Sequence, residues 1–270
     1  MVIGLVAGPF QQHLAQWWYE QNRPTDLPTP LTEVPVDQIS SSPASDSDTQ
    51  PSRSTDSVPS KDLSSPITNL PDRQAGHRSS IPDSLNLAVP FTSQAPHANW
   101  DARHEEYCEE ASALMVGRYF QGRSIGTIDE ADAAMRELEQ WQLEHLGYFE
   151  STTAAETKQM IEDVYHVSVS TVHEVTSESI KRALADGQLV ILPAAGRELG
   201  NPYFQRPGPV YHMLVVKGYT ADGQFITNDP GTRRGADFIY PADRLLDAVG
   251  DYNHGDPASG EQVMLVVGPR

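Results

Sequence analysis

The chain has 270 residues, a formal net charge of −18 and a sequence pI near 4.7. That balance speaks against a nucleic-acid partner and against anionic membrane surfaces, both of which call for a basic face. One cysteine, Cys108, excludes an internal disulfide and any multi-cysteine zinc site.

In chain order, Val2–Phe10 (VIGLVAGPF) is apolar but short, with no Lys or Arg ahead of it. A signal peptide begins with a basic region, and a membrane-spanning helix needs about 20 apolar residues. Residues 1–20 are therefore set apart as a short apolar N-terminal segment with two open readings. One is the remnant of an export signal or membrane tether. The other is a short helix, continuing through QQHLAQWWYEQ, that rests on something apolar. Residues 22–80 then hold 9 Pro and 13 Ser, and residues 20–90 hold no aromatic. Such a stretch cannot bury enough apolar surface to offset its ordering entropy. Residues 21–81 are expected to be a disordered, semi-extended linker. Tethers of this kind hold a domain away from a membrane or another module, so an extracytoplasmic domain, secreted or membrane-tethered, is expected.

A globular domain is expected over residues 82–270, with room for one core. Leu85–Phe91 alternates like a strand. Cys108–Gln121 reads as a helix with Ala111, Leu114, Met115 and Tyr119 on one face, stopped by Gly122. Ile128–Leu143 and Thr153–Tyr165 read as helices, and Ser179–Ala185 as a short one behind the cap candidates Thr176 and Ser177. Strands follow: Leu189–Pro193, His212–Tyr219, Gln224–Asn228, Asp237–Tyr240 and Val263–Val267. Helices first and an antiparallel sheet second is an α+β arrangement rather than βαβ winding.

Four residues could do chemistry together. Cys108 heads a helix, where unpaired N–H groups and the helix dipole favour thiolate. Glu105, Glu106, Glu109 and Glu110 oppose this if close. Glu109 and Glu110 are expected to point away from the Cys108 face, leaving a solvated acidic surface or a selector of cationic substrate. His212 opens an apolar strand and shares a face with Leu214 and Val216. The turn Thr220–Gly223 makes a hairpin. Pairing Tyr219 with Gln224 puts Asp229 opposite Leu214, and pairing Ala221 with Gln224 puts it opposite Val216. Either register leaves Asp229 on the His212 face, where a carboxylate can fix the imidazole tautomer. Gln94, in the loop after LNLAVPFTS, could supply a side-chain amide to an oxyanion. Each alone has a plain reading: a buried thiol, a turn residue before Pro230–Gly231, a solvated loop amide. As a set they follow Cys-His-Asn/Asp logic, in which partners distant in sequence meet in space.

VPFTSQAPHANWD (89–101), CEEASALM (108–115), GRELGNPYFQRPGPVYHMLVVKGY (196–219) and NDPGTRRG (228–235) together resemble the bacteriocin-processing, double-glycine-type cysteine peptidases of the papain-like group. The likeness covers roughly residues 84–268. It implies a papain-like α+β fold with N-terminal helices packed on a C-terminal antiparallel sheet. It further implies Cys108 as nucleophile, His212 as general base and acid, Asp229 as its orienter and Gln94 as oxyanion donor. Two features depart from the family's pattern: a longer Gln-to-Cys gap, and CEEA where Cys-Gly is more usual.

The expected activity is hydrolysis of peptide bonds in a peptide or protein substrate. Trp100, Asn201 and Tyr211 are expected to line the substrate cleft. His104 and Glu105 do not make a metal site with one cysteine, and no metal or other cofactor is expected. Two alternatives remain at this level. A catalytically silent module could hold peptides or cell-wall material on the tether, and a transglutaminase-like acyl transferase would use the same residues with an amine as acceptor.

Overall fold

The structure, a computed structural model, describes residues 9–32 and 81–270. Most of the expected linker, residues 33–80, lies outside the described residues, as do residues 1–8 of the apolar N-terminal segment.

A first helix, α1 (Pro9–Asn22), carries the second reading of the N-terminus. It rests on the domain through Tyr19, whose ring stacks on Phe238 at 4.4 Å and 3°. The Tyr19 hydroxyl also accepts the Ile239 N–H at 3.0 Å. Beyond the helix, Leu31 bridges Leu87, and its N–H donates to the Asn86 carbonyl at 2.8 Å. Within residues 21–32, α1 runs on to Asn22 and Leu31 pairs with the backbone of the domain. Among the described residues no helix is long and apolar enough to cross a membrane.

After β1 (Leu85–Asn86) come the helices α2 (Cys108–Phe120), α3 (Ile128–His145) and α4 (Ala154–Tyr165). The strands β2 (Ser168–Val172), β3 (Leu189–Ala195), β4 (Tyr211–Tyr219), β5 (Phe225–Asn228), β6 (Phe238–Tyr240) and β7 (Met264–Gly268) follow. The short helices α5 (Ser177–Ala185) and α6 (Ala242–Asp247) interrupt them. The helix starts are set locally. Thr127, Thr153 and Thr176 each accept the N–H three residues on and close a capping box, which satisfies donors the helix cannot.

The strands form one antiparallel sheet in the order β2-β7-β3-β4-β5-β6, with β1 on the end of β4. Its central strands are buried along their whole length. Helix α2 packs on β4 with α3 and α4 beside it, and α5 covers β3 and β4. The expected α+β arrangement of helices on an antiparallel sheet is what the chain forms. The strand β2 and the short helix α6 had no expected counterpart.

The hairpin β4–β5 decides the site. At its turn the register is Tyr219 with Phe225 and Gly218 with Ile226, one residue away from either expected register. Continued unchanged, it would put Asp229 on the face opposite His212. A bulge between Val216 and Gly218 shifts the pairing to Val216 with Thr227 and Val215 with Asn228. That continuation sets Asp229 across from Leu214, on the His212 face. Lys217 sits at the bulge, its side chain buried, with Nζ donating to Asn86 Oδ1 at 2.6 Å and to Asp237.

Candidate active site

Cys108 is the first residue of α2, and α2 packs on β4, whose second residue is His212. Ser112 in the next turn ties the two, its hydroxyl donating to the Met213 carbonyl at 3.3 Å. His212 is 1% exposed, and its Nε2 bonds Asp229 Oδ1 at 2.8 Å.

Asp229 is fully buried, and donors meet both of its oxygens. Oδ1 also accepts the Gly231 N–H at 2.9 Å, while Oδ2 accepts Tyr240 Oη–H at 2.6 Å and Asn201 Nδ2 at 2.9 Å. Burial pushes this carboxyl up, but the His212 charge and these hydrogen bonds outweigh it and hold it below its ordinary range. An ionised Asp229 requires a proton on Nε2. In neutral imidazole the Nδ1 lone pair is then free to accept.

Gly231 and Phe204 close over the ring. The Phe204 ring meets the imidazole edge-on at 5.2 Å and 74°. A Cβ built on Gly231 would stand 2.9 Å from His212 Cε1 and 2.6 Å from Phe204 Cε1, so only glycine leaves the imidazole its place. Phe204 and Gly231 also line a cavity of about 320 Å³ together with Gln94, Trp100, Cys108 and Tyr211. The His–Asp pair therefore stands behind one wall of the cavity that Cys108 opens onto.

The thiol and the imidazole are not joined by a hydrogen bond among the described residues. Cys108 Sγ donates instead to Glu109 Oε2 at 2.9 Å. The thiol is held well above its ordinary range, first by burial and then by the charge of Glu109, with the Met213 N–H acting the other way. The expected thiolate is thus reversed in this state. So is the expected solvated acidic face, since Glu109 and Glu110 are both fully buried. Helical spacing points them off the Cys108 axis, but that direction is interior, because α3, α4 and β4 all surround α2.

Burial pushes Glu109 up to about 8, and pushes Glu110 well above its ordinary range, with the charge of Glu109 adding to it. Neither oxygen of Glu110 has a hydrogen-bond partner among the described residues. Both groups keep protons in the fold that the unfolded chain surrenders above its ordinary carboxylate range. Stability is then fully present below about pH 4.5 and is lost as pH rises through the folded value. The melting temperature is expected to fall between pH 5 and pH 8, and Glu110→Gln to flatten that slope. Calorimetry across the range, with the exposed Glu105→Gln as control, reads it out. An unchanged slope in Glu110→Gln would show that Glu110 is not a buried neutral acid.

Gln94 lines the cavity, but its amide is occupied. Nε2 donates to the His104 carbonyl at 2.9 Å and the Glu105 carbonyl at 3.0 Å, so Oε1 is left without a partner. The two carbonyls belong to a 3₁₀ turn, His104–Glu106, that leads into α2. The turn is pinned a second way by His104, buried between Asp101 and Asp132 at 2.7 Å from each. Nothing in the sequence marks His104 for this clamp.

Trp100 and Tyr211 line the cavity, Tyr211 with its hydroxyl bonded to Asp251 at 2.9 Å. Asn201 does not. Its Nδ2 is given to Asp229 and Tyr240, and its Oδ1 accepts the Tyr203 N–H at 3.0 Å, so no polar atom is left for substrate. It is a positioning residue of the His–Asp pair. Tyr240 shares that role and was not foreseen. It stands at the end of β6, where only its pairing with Phe225 brings the hydroxyl to Asp229.

A helix-borne cysteine set against a strand-borne His–Asp pair, with helices on an antiparallel sheet, is the papain-like cysteine peptidase arrangement. The chain belongs to the Peptidase_C39 like family, which matches residues 86–252. Among solved structures it is similar to a Bacillus anthracis protein described as a C39-like peptidase. The identity is 13% and the TM-score 0.44, over 68% of this chain and 96% of that one. No curated protein matches the chain.

Proposed function

We propose that this member of a cysteine peptidase family cleaves peptide bonds through Cys108, His212 and Asp229, with Gln94 assisting at the oxyanion. The observation that carries the reading is the His212–Asp229 pair, buried and hydrogen-bonded beside the cavity onto which Cys108 opens. A silent module would have no use for a carboxylate met by donors from His212, Gly231, Tyr240 and Asn201.

In this reading the Glu109-bonded thiol is the resting form. Substrate entry turns Sγ from Glu109 toward His212 Nδ1, which takes the proton as sulfur attacks the carbonyl carbon. The imidazolium then gives its proton to the leaving amine, and water, deprotonated by the same imidazole, releases the acyl group from sulfur. The oxyanion takes the Cys108 N–H and one hydrogen of the Gln94 amide, which must leave a carbonyl of the 3₁₀ turn to do so. No metal or cofactor enters. The substrate is a peptide or a protein, met outside the cytoplasm in a secreted or tethered form.

Digestion of a proteome-derived peptide library, read by mass spectrometry, tests this. New termini are expected with the wild-type chain and none with Cys108→Ala. Equal yields from the two would exclude Cys108 as nucleophile.

A further inference from the structure

The cavity beside Cys108 has a neighbour of about 280 Å³. Trp100, Phe204, Gln205 and Gly231 line both, so the two chambers lie side by side. Their electrostatics differ. Glu105, Glu106 and Glu109 stand around the first, with Arg206 as its only Lys or Arg. Among the described residues that line it, the second holds Arg233 and Arg234 and no carboxylate. In a chain with 37 acidic and 19 basic residues, that composition runs against the background.

The two arginines are not equivalent. Arg234 is answered by Glu20 of α1 at 3.1 Å and lies over the Tyr203 ring at 4.9 Å. Arg233 is exposed and makes no hydrogen bond or ion pair with any described residue. Helix α1 adds one lining residue. Gln12 lines the second chamber, its amide nitrogen held by the Phe204 carbonyl at 3.1 Å, and Gln16 holds the Pro202 carbonyl at 3.0 Å. This helix lies outside residues 86–252, while the chamber's other lining residues, Arg233 among them, lie within that span.

We infer that the second chamber is a substrate subsite that takes an acidic residue, Asp or Glu, on Arg233. The inference rests on the peptidase reading above and adds a charge preference at one fixed position on one side of the cut. An arginine fork that pairs with a carboxylate bidentately suits this role better than a lysine.

The test is the same library digested by the full chain and by Arg233→Ala, Arg233→Lys and Arg233→Glu. Arg233 is exposed, so the variants are expected to fold. Wild type is expected to enrich Asp and Glu at one position by about two- to fivefold, the span of a solvent-accessible ion pair. Arg233→Ala is expected to lose the enrichment, Arg233→Lys to keep part of it, and Arg233→Glu to favour Lys and Arg there. Cleavage without acidic enrichment, or enrichment unchanged in Arg233→Glu, would overturn the subsite and leave the peptidase reading standing. No cleavage by wild type would overturn both.

Discussion

Asp229→Ala is expected to lower kcat by roughly 10²–10⁴-fold, the span of positioned acid–base catalysis. Asp229 does not touch substrate. In the proposed mechanism it acts through His212, bonded to Nε2 at 2.8 Å, by holding the proton there and so freeing Nδ1 for the thiol. Removing it lets the imidazole choose the wrong tautomer and rotate. It also strands the buried donors of Gly231, Tyr240 and Asn201, so the variant's melting temperature has to be measured first. Asp229→Asn is expected to be milder. Its amide oxygen can still accept from Nε2, while its NH₂ can be received by the Tyr240 oxygen. Equal and negligible effects of the two would reduce Asp229 to a turn residue. Asn228, its neighbour, could not then take over. Its side chain is committed to the Val89 and Pro90 carbonyls and to the Asp237 N–H.

Gln94→Ala is expected to lower kcat by roughly 10²–10³-fold with KM little changed, the signature of a donor that acts only on transition-state charge. The resting geometry sharpens this test, because the Gln94 amide also braces the turn before α2 through the carbonyls of His104 and Glu105. A bracing role predicts a different result: a lower melting temperature with kcat retained in the folded fraction. Steady-state kinetics beside thermal melting separates the two.

Much of the fold was legible because its signals are local. Thr176, a cap candidate before α5, is its cap. Gly122 ends α2 with φ of +62°, as a left-handed stop should. The pairing of His212 with Asp229 was anticipated from alternation, but for an incomplete reason. Both expected registers differ from the one at the turn, and only the bulge at Lys217 restores the face. A bulge depends on what packs at that point, here Asn86 and Asp237 from distant parts of the chain. The place of Asn201 beside Asp229, where a cleft-lining role was expected, and that of Tyr240 were hidden for the same reason, since Asp229 is reached only through tertiary pairing. Glu109 and Glu110 were misjudged because charge ordinarily marks a surface. Their burial follows from the crowding of α2 by α3, α4 and β4, which helical periodicity alone does not report.

The central claim, that Cys108 and His212 act as one unit, is tested most directly by intact-mass labelling with a peptidyl epoxide at neutral pH. The probe occupies the cleft as substrate does and demands the same turn of Sγ away from Glu109. Wild type is predicted to gain a single adduct, mapped to Cys108, and His212→Ala to label far more slowly while remaining folded. Absence of an adduct on the wild-type chain, or equal labelling rates in the two proteins, would contradict it.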